Sequence, residues 1–423
     1  MSSTDSTTAL VVSLIGGSHF LNHAYFMLLP PIFGTLQSQL GISTAQSGLA
    51  LGLVGFVVVA LQLPFGYLSD AYSRRAVLAL SLTTGAVGAA LTATAQSYVW
   101  LLVASAVTGV GIAGHHPAHY PMLSAATVPS ARGRAYSIHG FTGALGFAAP
   151  PAVVGVVSST AIPGDWRAAI GLFAVVGALY AVGTLWLVVR RVPRSVTHAP
   201  GRERVREGRQ PLRTLPRRVI AGLRATLSST GIVLLTLLWL LVSMVVWGTQ
   251  TYTAPLLIDG YGVAESTANL LVSAMLVVGA VAILAGGWLT DHYGARTTVL
   301  GGLVGVVVVA AALASAALPV TLALAVTLVF AATIKTTRPA LSTLGDALST
   351  RDDLGKNFGL LTIGISGGGA VAPPVFGALS ETASIQAVFW VMAAIGVVAF
   401  LFTFVVVAVG EASVARASGA ADD

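Results

Sequence analysis

Gly66-Tyr-Leu-Ser-Asp-Ala-Tyr-Ser-Arg-Arg75 returns 221 positions later as Gly287-Trp-Leu-Thr-Asp-His-Tyr-Gly-Ala-Arg296. Two further pairs keep the same order. Pro117-Ala118 corresponds to Pro339-Ala340, and Gly146-Phe-Ala-Ala-Pro150-Pro151 to Gly369-Ala-Val-Ala-Pro373-Pro374, at offsets of 222 and 223. Three matches in order at nearly one spacing mark a duplicated chain, so each half is one copy of the same fold.

The medium around that fold follows from composition. Of 423 residues, 55% are hydrophobic and 9% charged, against about 25% charged in a soluble domain. A water-soluble protein of this size has no means of hiding so much apolar surface, so the class is integral membrane. A spanning helix needs about 20 apolar residues, and twelve are predicted: 9–34, 47–69, 76–96, 98–126, 133–158, 166–190, 228–257, 266–289, 297–317, 319–347, 356–379 and 384–409. The opening MSSTDSTT lacks a basic leader region, so the first span is expected to stay in place as the insertion signal. With no cysteine in the chain, disulfides, thiolate metal sites and cysteine nucleophiles are excluded.

The net charge of +7 could suggest nucleic acid, but its distribution argues for topology. Eleven of the 20 arginines fall between Arg190 and Arg224, in the hydrophilic stretch between spans six and seven. Arg74, Arg75, Arg132, Arg134, Arg296 and Arg351 border loops on the same side, whereas Asp165, Arg167, Asp259, Glu265 and Glu381 fall on the other. Under the positive-inside rule the arginine side is cytoplasmic, which puts both termini inside a cell membrane. The expected organisation is a six-helix bundle over 1–190, a cytoplasmic arginine-rich linker over 191–227 and a second six-helix bundle over 228–423. Homologous halves imply a pseudo-two-fold along the membrane normal and a site near the midplane between them.

The chain resembles a known family in its paired glycine–aspartate motifs. GYLSDAYSRR and GGWLTDHYGAR (Gly286 to Arg296) are similar to the loop signature Gly-x-x-x-Asp-basic-x-Gly-basic-basic of the major facilitator superfamily. Ala71, Ser73 and Ala295 depart from it. A narrower likeness lies in span four: Gly114-His115-His116-Pro117-Ala118, followed by Arg132 and Arg134, resembles the fosmidomycin-resistance efflux subfamily, in which a Phe-His-Pro-Glu-Ala run occupies that place. His116 and Pro117 match, and Ala118 replaces the acidic residue. Gly143-x-x-Gly146-x-x-x-Pro150-Pro151 is similar to the glycine-proline motif of drug antiporters, with Pro150 in place of a glycine. The resemblance implies an all-α fold of twelve transmembrane helices in two pseudo-two-fold related bundles, working as a secondary carrier by alternating access. It further implies export of a small, often anionic or amphipathic compound, and whether a histidine-held proton drives that export, or transport is exchange or uniport, stays open in the sequence.

The residues themselves point to the same chemistry. Gly66, Asp70, Arg74 and Arg75, with Gly287, Asp291 and Arg296, read as a duplicated conformational latch. In it a carboxylate meets a helix N-terminus or an arginine, and the glycines allow close helix approach. Ionisable groups deep in a membrane mark substrate or ion paths. Lys335 and Arg338, three apart on one face, are the basic side chains deep in a span, and no Asp or Glu falls in the middle of any predicted span. A buried cation in a wet cavity attracts an anion; structural pairing, as of Arg338 with Asp346, is the plainer reading.

His19 and His23, four apart, share a face of span one with Asn22 and Tyr25 nearby, and His115, His116, His119 and His139 fall at similar depth. Neighbours on a helix diverge by about 100°. His116 aligns with Arg338 across the repeat, so it is the expected cavity residue. The substrate site is accordingly expected at His19, Asn22, His23, His116, Gln250, Lys335 and Arg338. His19, His23 and His116 titrate near neutrality and are the candidate proton carriers. No carboxylate or thiol accompanies the histidines at ligand spacing, so neither a metal nor a cofactor is expected. Trp247, Gln250 and Tyr252 could line an outer cavity, Tyr252 reading equally as an interfacial anchor.

A channel would need a continuous polar stripe and an enzyme a nucleophile–base or metal set. Neither is visible, and the protein is read as no enzyme. The expected partners are a small anionic solute, the proton and the bilayer, with the monomer as the working unit. Uptake symport, anion exchange and lipid flipping are the competing readings.

Overall fold

The structure is a computed structural model that describes residues 3–159, 166–198, 230–348 and 354–419. Among these residues all regular structure is helical. The order is α1 (Ser3–Phe26), α2 (Phe33–Leu40), α3 (Thr44–Ala71), α4 (Arg74–Ala93), α5 (Tyr98–Ala113), α6 (His115–Ala126), α7 (Pro129–Ser159), α8 (Trp166–Arg191) and α9 (Arg194–Thr197). It continues with α10 (Thr230–Pro255), α11 (Glu265–Tyr293), α12 (Ala295–Ala314), α13 (Val320–Lys335), α14 (Thr337–Ala347), α15 (Leu354–Thr382) and α16 (Ile385–Gly419).

In hydrocarbon every backbone amide must be satisfied within its own segment, which makes helices obligatory for these apolar runs. Eleven segments are long and apolar enough to cross a membrane, counting α5 with α6, α13 with α14, and α10 with the π-turn Leu256–Gly260 as single spans. The first span, α1, is 24 residues long but carries Ser and Thr at its start and His19, Asn22 and His23 near its end. It stops at Phe26, short of the expected 34, because Pro30 and Pro31 open a 3₁₀ turn that cannot continue the helix. Most of the expected 191–227 linker, together with Asp165 and Arg351, lies outside the described residues.

Two compact units contain the helices: Met1–Ile42 with Leu53–Arg217, and Ser43–Gly52 with Arg218–Asp423. In the first unit α1 packs on α7, and α4 on both α5 and α8. In the second, α10 packs on α15, α12 on α16, and α13 on α11 and α12. The duplicated sequence thus yields duplicated partner choices. The second unit's core is aliphatic, with Leu235, Leu238, Val299, Leu303, Val306 and Ile334 all sealed from the surface. The first turns of α3 also belong to it. Ala45 donates its backbone N–H to Glu381 at 3.1 Å, and Tyr252, wholly buried, donates its hydroxyl to the Pro373 carbonyl. Tyr252 is therefore an interior hydrogen-bond donor and not an interfacial anchor.

Small residues set the α1–α7 distance. A Cβ at Gly143 would run into the His19 ring, and one at Gly146 into the Phe20 carbonyl oxygen. This is the close approach that small residues allow between membrane helices. At Gly140, one turn away, a Cβ would meet open space.

Gly146→Val should therefore cost about 1–3 kcal/mol through overpacking, whereas Gly140→Ala should be neutral or mildly stabilising. Thermal unfolding of the detergent-solubilised protein checks both, and equal melting temperatures for the two variants would contradict this packing.

Candidate functional site

Each half contains one span broken by a proline at the equivalent position. Pro117 and Pro339 have no N–H to offer the carbonyls of Ala113 and Lys335, four residues earlier. The helix ladder lapses for one residue, Gly114 in the first half and Thr336 in the second, 222 positions apart. The ionisable side chains gather at these breaks. His115 and His116 open α6, while Lys335 closes α13 and Arg338 lies in the first turn of α14.

In the first unit six of the chain's eight histidines converge. They come from three elements: His19 and His23 on α1, His115, His116 and His119 on α6, and His139 on α7. His19 is the hub. Its ring stacks on His139 at 3.7 Å between centroids and 12° between planes, and lies 5.0 Å from His115 and 5.3 Å from His116. The adjacent His115 and His116 do diverge, with ring planes 89° apart, yet both reach His19. His115, His119 and His139 are buried, whereas His23 and His116 are half-buried. His119 Nε2 meets the Ser18 hydroxyl at 3.1 Å, and neither ring nitrogen of His115 or His139 has a hydrogen-bond partner among the described residues.

Hydrogen bonding fixes the tautomers on α1. His19 Nδ1 lies 2.6 Å from the His139 carbonyl oxygen, and His23 Nδ1 lies 2.9 Å from that of Gly143. A carbonyl only accepts, so both Nδ1 atoms carry the proton and donate. With both rings neutral, the two Nε2 atoms are lone-pair acceptors that face each other at 3.1 Å, whereas a proton on one of them makes an Nε2–H···Nε2 hydrogen bond. Two lone pairs at that distance repel, and a cation between them satisfies both. Asn22, on the same helix, is buried with its Oδ1 lacking a hydrogen-bond partner among the described residues.

In the second unit Lys335 is buried and donates from Nζ to Gln250 Oε1 at 3.3 Å, linking α13 to α10. Arg338 is exposed, as is Asp346. Trp247 is buried beside Gly369.

The proposed latch residues divide. Half-buried Arg74 donates to the carbonyls of Pro121 at 3.3 Å and Val196 at 3.2 Å, tying α4 to α6 and α9. Ser69, beside exposed Asp70, donates to the Pro117 carbonyl at 2.7 Å. Arg75 is half-buried, Asp291 is exposed, and exposed Arg296 stands 4.8 Å over the Phe404 ring. Close helix approach is not the role of Gly66 or Gly287, where a Cβ would meet nothing within 4 Å. The tight position is Gly286, whose Cβ would collide with the backbone of Thr336 at the helix break.

Sequence reasoning left His115, His119 and His139 outside the expected site. The available signal was the spacing of His139, Gly143 and Gly146, which puts them on one face of α7, the face that meets α1.

Eleven membrane-length helices in two compact units, each unit with one broken helix that carries ionisable side chains, are the form of a multi-pass membrane transporter. Within that class the chain belongs to the Major Facilitator Superfamily, whose family model matches residues 15–264 and 236–422. It is 24% identical over 303 residues to the niacin transporter NiaP of Acinetobacter baylyi, covering 66% of each chain. To the probable sulfoacetate transporter SauU of Cupriavidus necator it is 31% identical over 152 residues, 36% of this chain and 34% of that one. The chain thus matches under two thirds of the length of either relative. Among solved structures, a bacterial homologue of the human lysosomal transporter Spinster superposes with a TM-score of 0.74 at 18% identity, covering 95% of this chain and 97% of that one. The nucleoside transporter NupG gives a TM-score of 0.74 at 15% identity, with coverage of 94% and 99%. These two share the fold.

Removing the Arg74 guanidinium strands two carbonyls. Because hydrogen bonds from charged groups contribute about 1.5–3 kcal/mol, Arg74→Met should speed hydrogen exchange over 194–198 by about 10-fold. Unchanged exchange there would show that Arg74 does not hold α9.

Proposed function

We propose that the protein is a secondary carrier of a small organic anion, working by alternating access and driving the anion outward across the cell membrane in exchange for protons. The observation that carries this reading is Lys335, a cation buried at a helix break and hydrogen-bonded to Gln250. An ammonium held in a low-dielectric setting favours a counter-anion strongly, and Arg338, one turn away, adds a second positive charge. Gln250 offers an amide N–H₂ to the same ligand while its oxygen holds Lys335. The relatives support the class of substrate: niacin and sulfoacetate, named for NiaP and SauU, are both small acids that are anionic at neutral pH.

His19, His23 and His116 are the proton-holding groups in this reading, supported by the facing Nε2 atoms of His19 and His23. The outward direction and the likeness to the fosmidomycin-resistance subfamily rest on the Gly114–Pro117 segment. The protein works as a monomer, with its termini in the cytoplasm and the Asp70–Arg74 and Asp291–Arg296 segments serving as its conformational latch.

Reconstitution in liposomes tests the reading with nicotinate, sulfoacetate and related carboxylates and sulfonates, with and without a pH gradient. Lys335→Ala and Arg338→Ala should each lower anion flux by about 10-fold or more, the worth of a charged hydrogen bond. His23→Gln should keep anion exchange at equilibrium while losing the response to the gradient. Anion flux untouched by both cation variants would overturn the anion site. Flux that ignores the gradient in the wild-type protein would leave exchange or uniport in place of proton coupling.

A further inference from the structure

We propose that His19, His23 and His116 form a three-imidazole binding site for a divalent transition-metal ion of the zinc class. This goes beyond the anion-carrier reading and does not depend on it. One potential ligand atom from each of the three lies within 4.8 Å of the other two, and two of them, the Nε2 atoms of His19 and His23, are already 3.1 Å apart. In a tetrahedral centre with metal–nitrogen bonds of about 2.0–2.1 Å, neighbouring nitrogens stand roughly 3.3 Å apart. The α1 pair therefore has the bite of a metal chelate before any ion arrives. His116, half-buried at the first turn of α6, supplies the third nitrogen, and its ring has to turn toward the α1 pair to close the remaining gap.

The surroundings of the pair have the form that metal-binding histidines require. Such a histidine almost always gives its other N–H to a carboxylate, a backbone carbonyl or water, which fixes the ring and raises the basicity of the ligating nitrogen. His19 gives its Nδ1 proton to the His139 carbonyl and His23 gives its own to that of Gly143. Both contacts reach across to α7, so the rings are held by a second helix and not by local geometry alone.

A second histidine triple, His19 with His115 and His139, also falls within 4.8 Å, but its ring planes argue against it. Imidazole lone pairs lie in the ring plane. His139 and His115 stack on His19 at interplanar angles of 12° and 16°, so their lone pairs run parallel and cannot meet at one ion. His23 and His116 are tilted from His19 by 57° and 84°, and from each other by 48°, which lets three lone pairs converge. His23 and His116 are also the partly exposed members, giving an ion a way in, while His115 and His139 form the buried backing. Neutral imidazoles suit zinc, copper, nickel and cobalt, whereas magnesium and calcium require oxygen ligands. Three histidines leave a fourth position for water or a small anion, the open arrangement of a binding site as distinct from a closed structural centre.

The test uses the full-length protein in detergent or nanodiscs, with any polyhistidine tag removed. Zn²⁺ is titrated against a chromogenic chelator, and the Zn²⁺-loaded protein is examined by X-ray absorption. One Zn²⁺ per chain is expected, with three imidazoles around it. His19→Gln, His23→Gln and His116→Gln should each weaken binding by about 10-fold or more, while His198→Gln and His292→Gln leave it unchanged. Absence of saturable binding overturns the proposal. So does binding that survives His23→Gln and His116→Gln but is lost in His115→Gln and His139→Gln. The X-ray absorption spectrum of the wild-type protein is independent of whether any variant folds, and fewer than three imidazoles in it would likewise refute the site. None of these readouts involves transport, so an anion-flux failure and a metal-site failure are told apart.

Discussion

The carbonyl oxygens of His139 and Gly143 orient the two histidines of α1, and they reach those rings only because α7 presents glycine where α1 crosses it. In water such an arrangement would be one of many. In a membrane interior the alternatives are costly, because an imidazole N–H or a bare lone pair left unsatisfied loses free energy that solvent would otherwise supply. The helix pair thus serves as a jig. Fixed acceptors on one side of each ring turn both Nε2 atoms toward one point, which is where the proposed ion would bind. The packing of α1 on α7, the tautomers and the local charge preference are consequences of one close approach.

The second unit reaches its chemistry by a related route with different side chains. Its broken span places a buried ammonium where the first unit places imidazoles, and the break falls at the same position of the repeat. The two halves share the backbone device, a proline that leaves the carbonyl four residues earlier without its helical N–H. What they hang on it differs: a cation-accepting cluster in one, a cation in the other. On the proposed anion-carrier reading, this divergence would let one scaffold handle charges of opposite sign.

Much of this was legible in the sequence. Composition requires a membrane protein, and eleven segments among the described residues are long and apolar enough to cross one. The paired motifs at Asp70 and Asp291, Pro117 and Pro339, and Pro150 and Pro373 read as two copies of one unit, and the chain has the fold of the Major Facilitator Superfamily. The limits are equally specific. The first span was drawn too long because its apolar residues continue past Pro30, and only the proline geometry ends the helix at Phe26. Gly66 and Gly287 were given a packing role that belongs to Gly286, one residue from where the motif drew attention. Tyr252 could not be told from an interfacial anchor until its carbonyl partner on α15 was in place. His115, His119 and His139 share a depth in the sequence, and the His139–Gly143–Gly146 spacing marks one face of α7, but their convergence across three helices is a tertiary property that spacing within one helix does not settle. No metal is expected from the sequence because no carboxylate or thiol accompanies the histidines at ligand spacing; the proposed ligand set is all imidazole, and its members lie on α1 and α6, nearly a hundred residues apart.

The central claim is that backbone carbonyls fix the α1 histidines so that their Nε2 atoms face one another. Solid-state nitrogen NMR of the metal-free, histidine-labelled protein in lipid bilayers addresses it directly. The account predicts two rings with protonated Nδ1, assigned by loss in His19→Gln and His23→Gln, and dipolar contact between their Nε2 nuclei. Two rings protonated at Nε2 and bare at Nδ1, or no contact between the Nε2 nuclei, would contradict it.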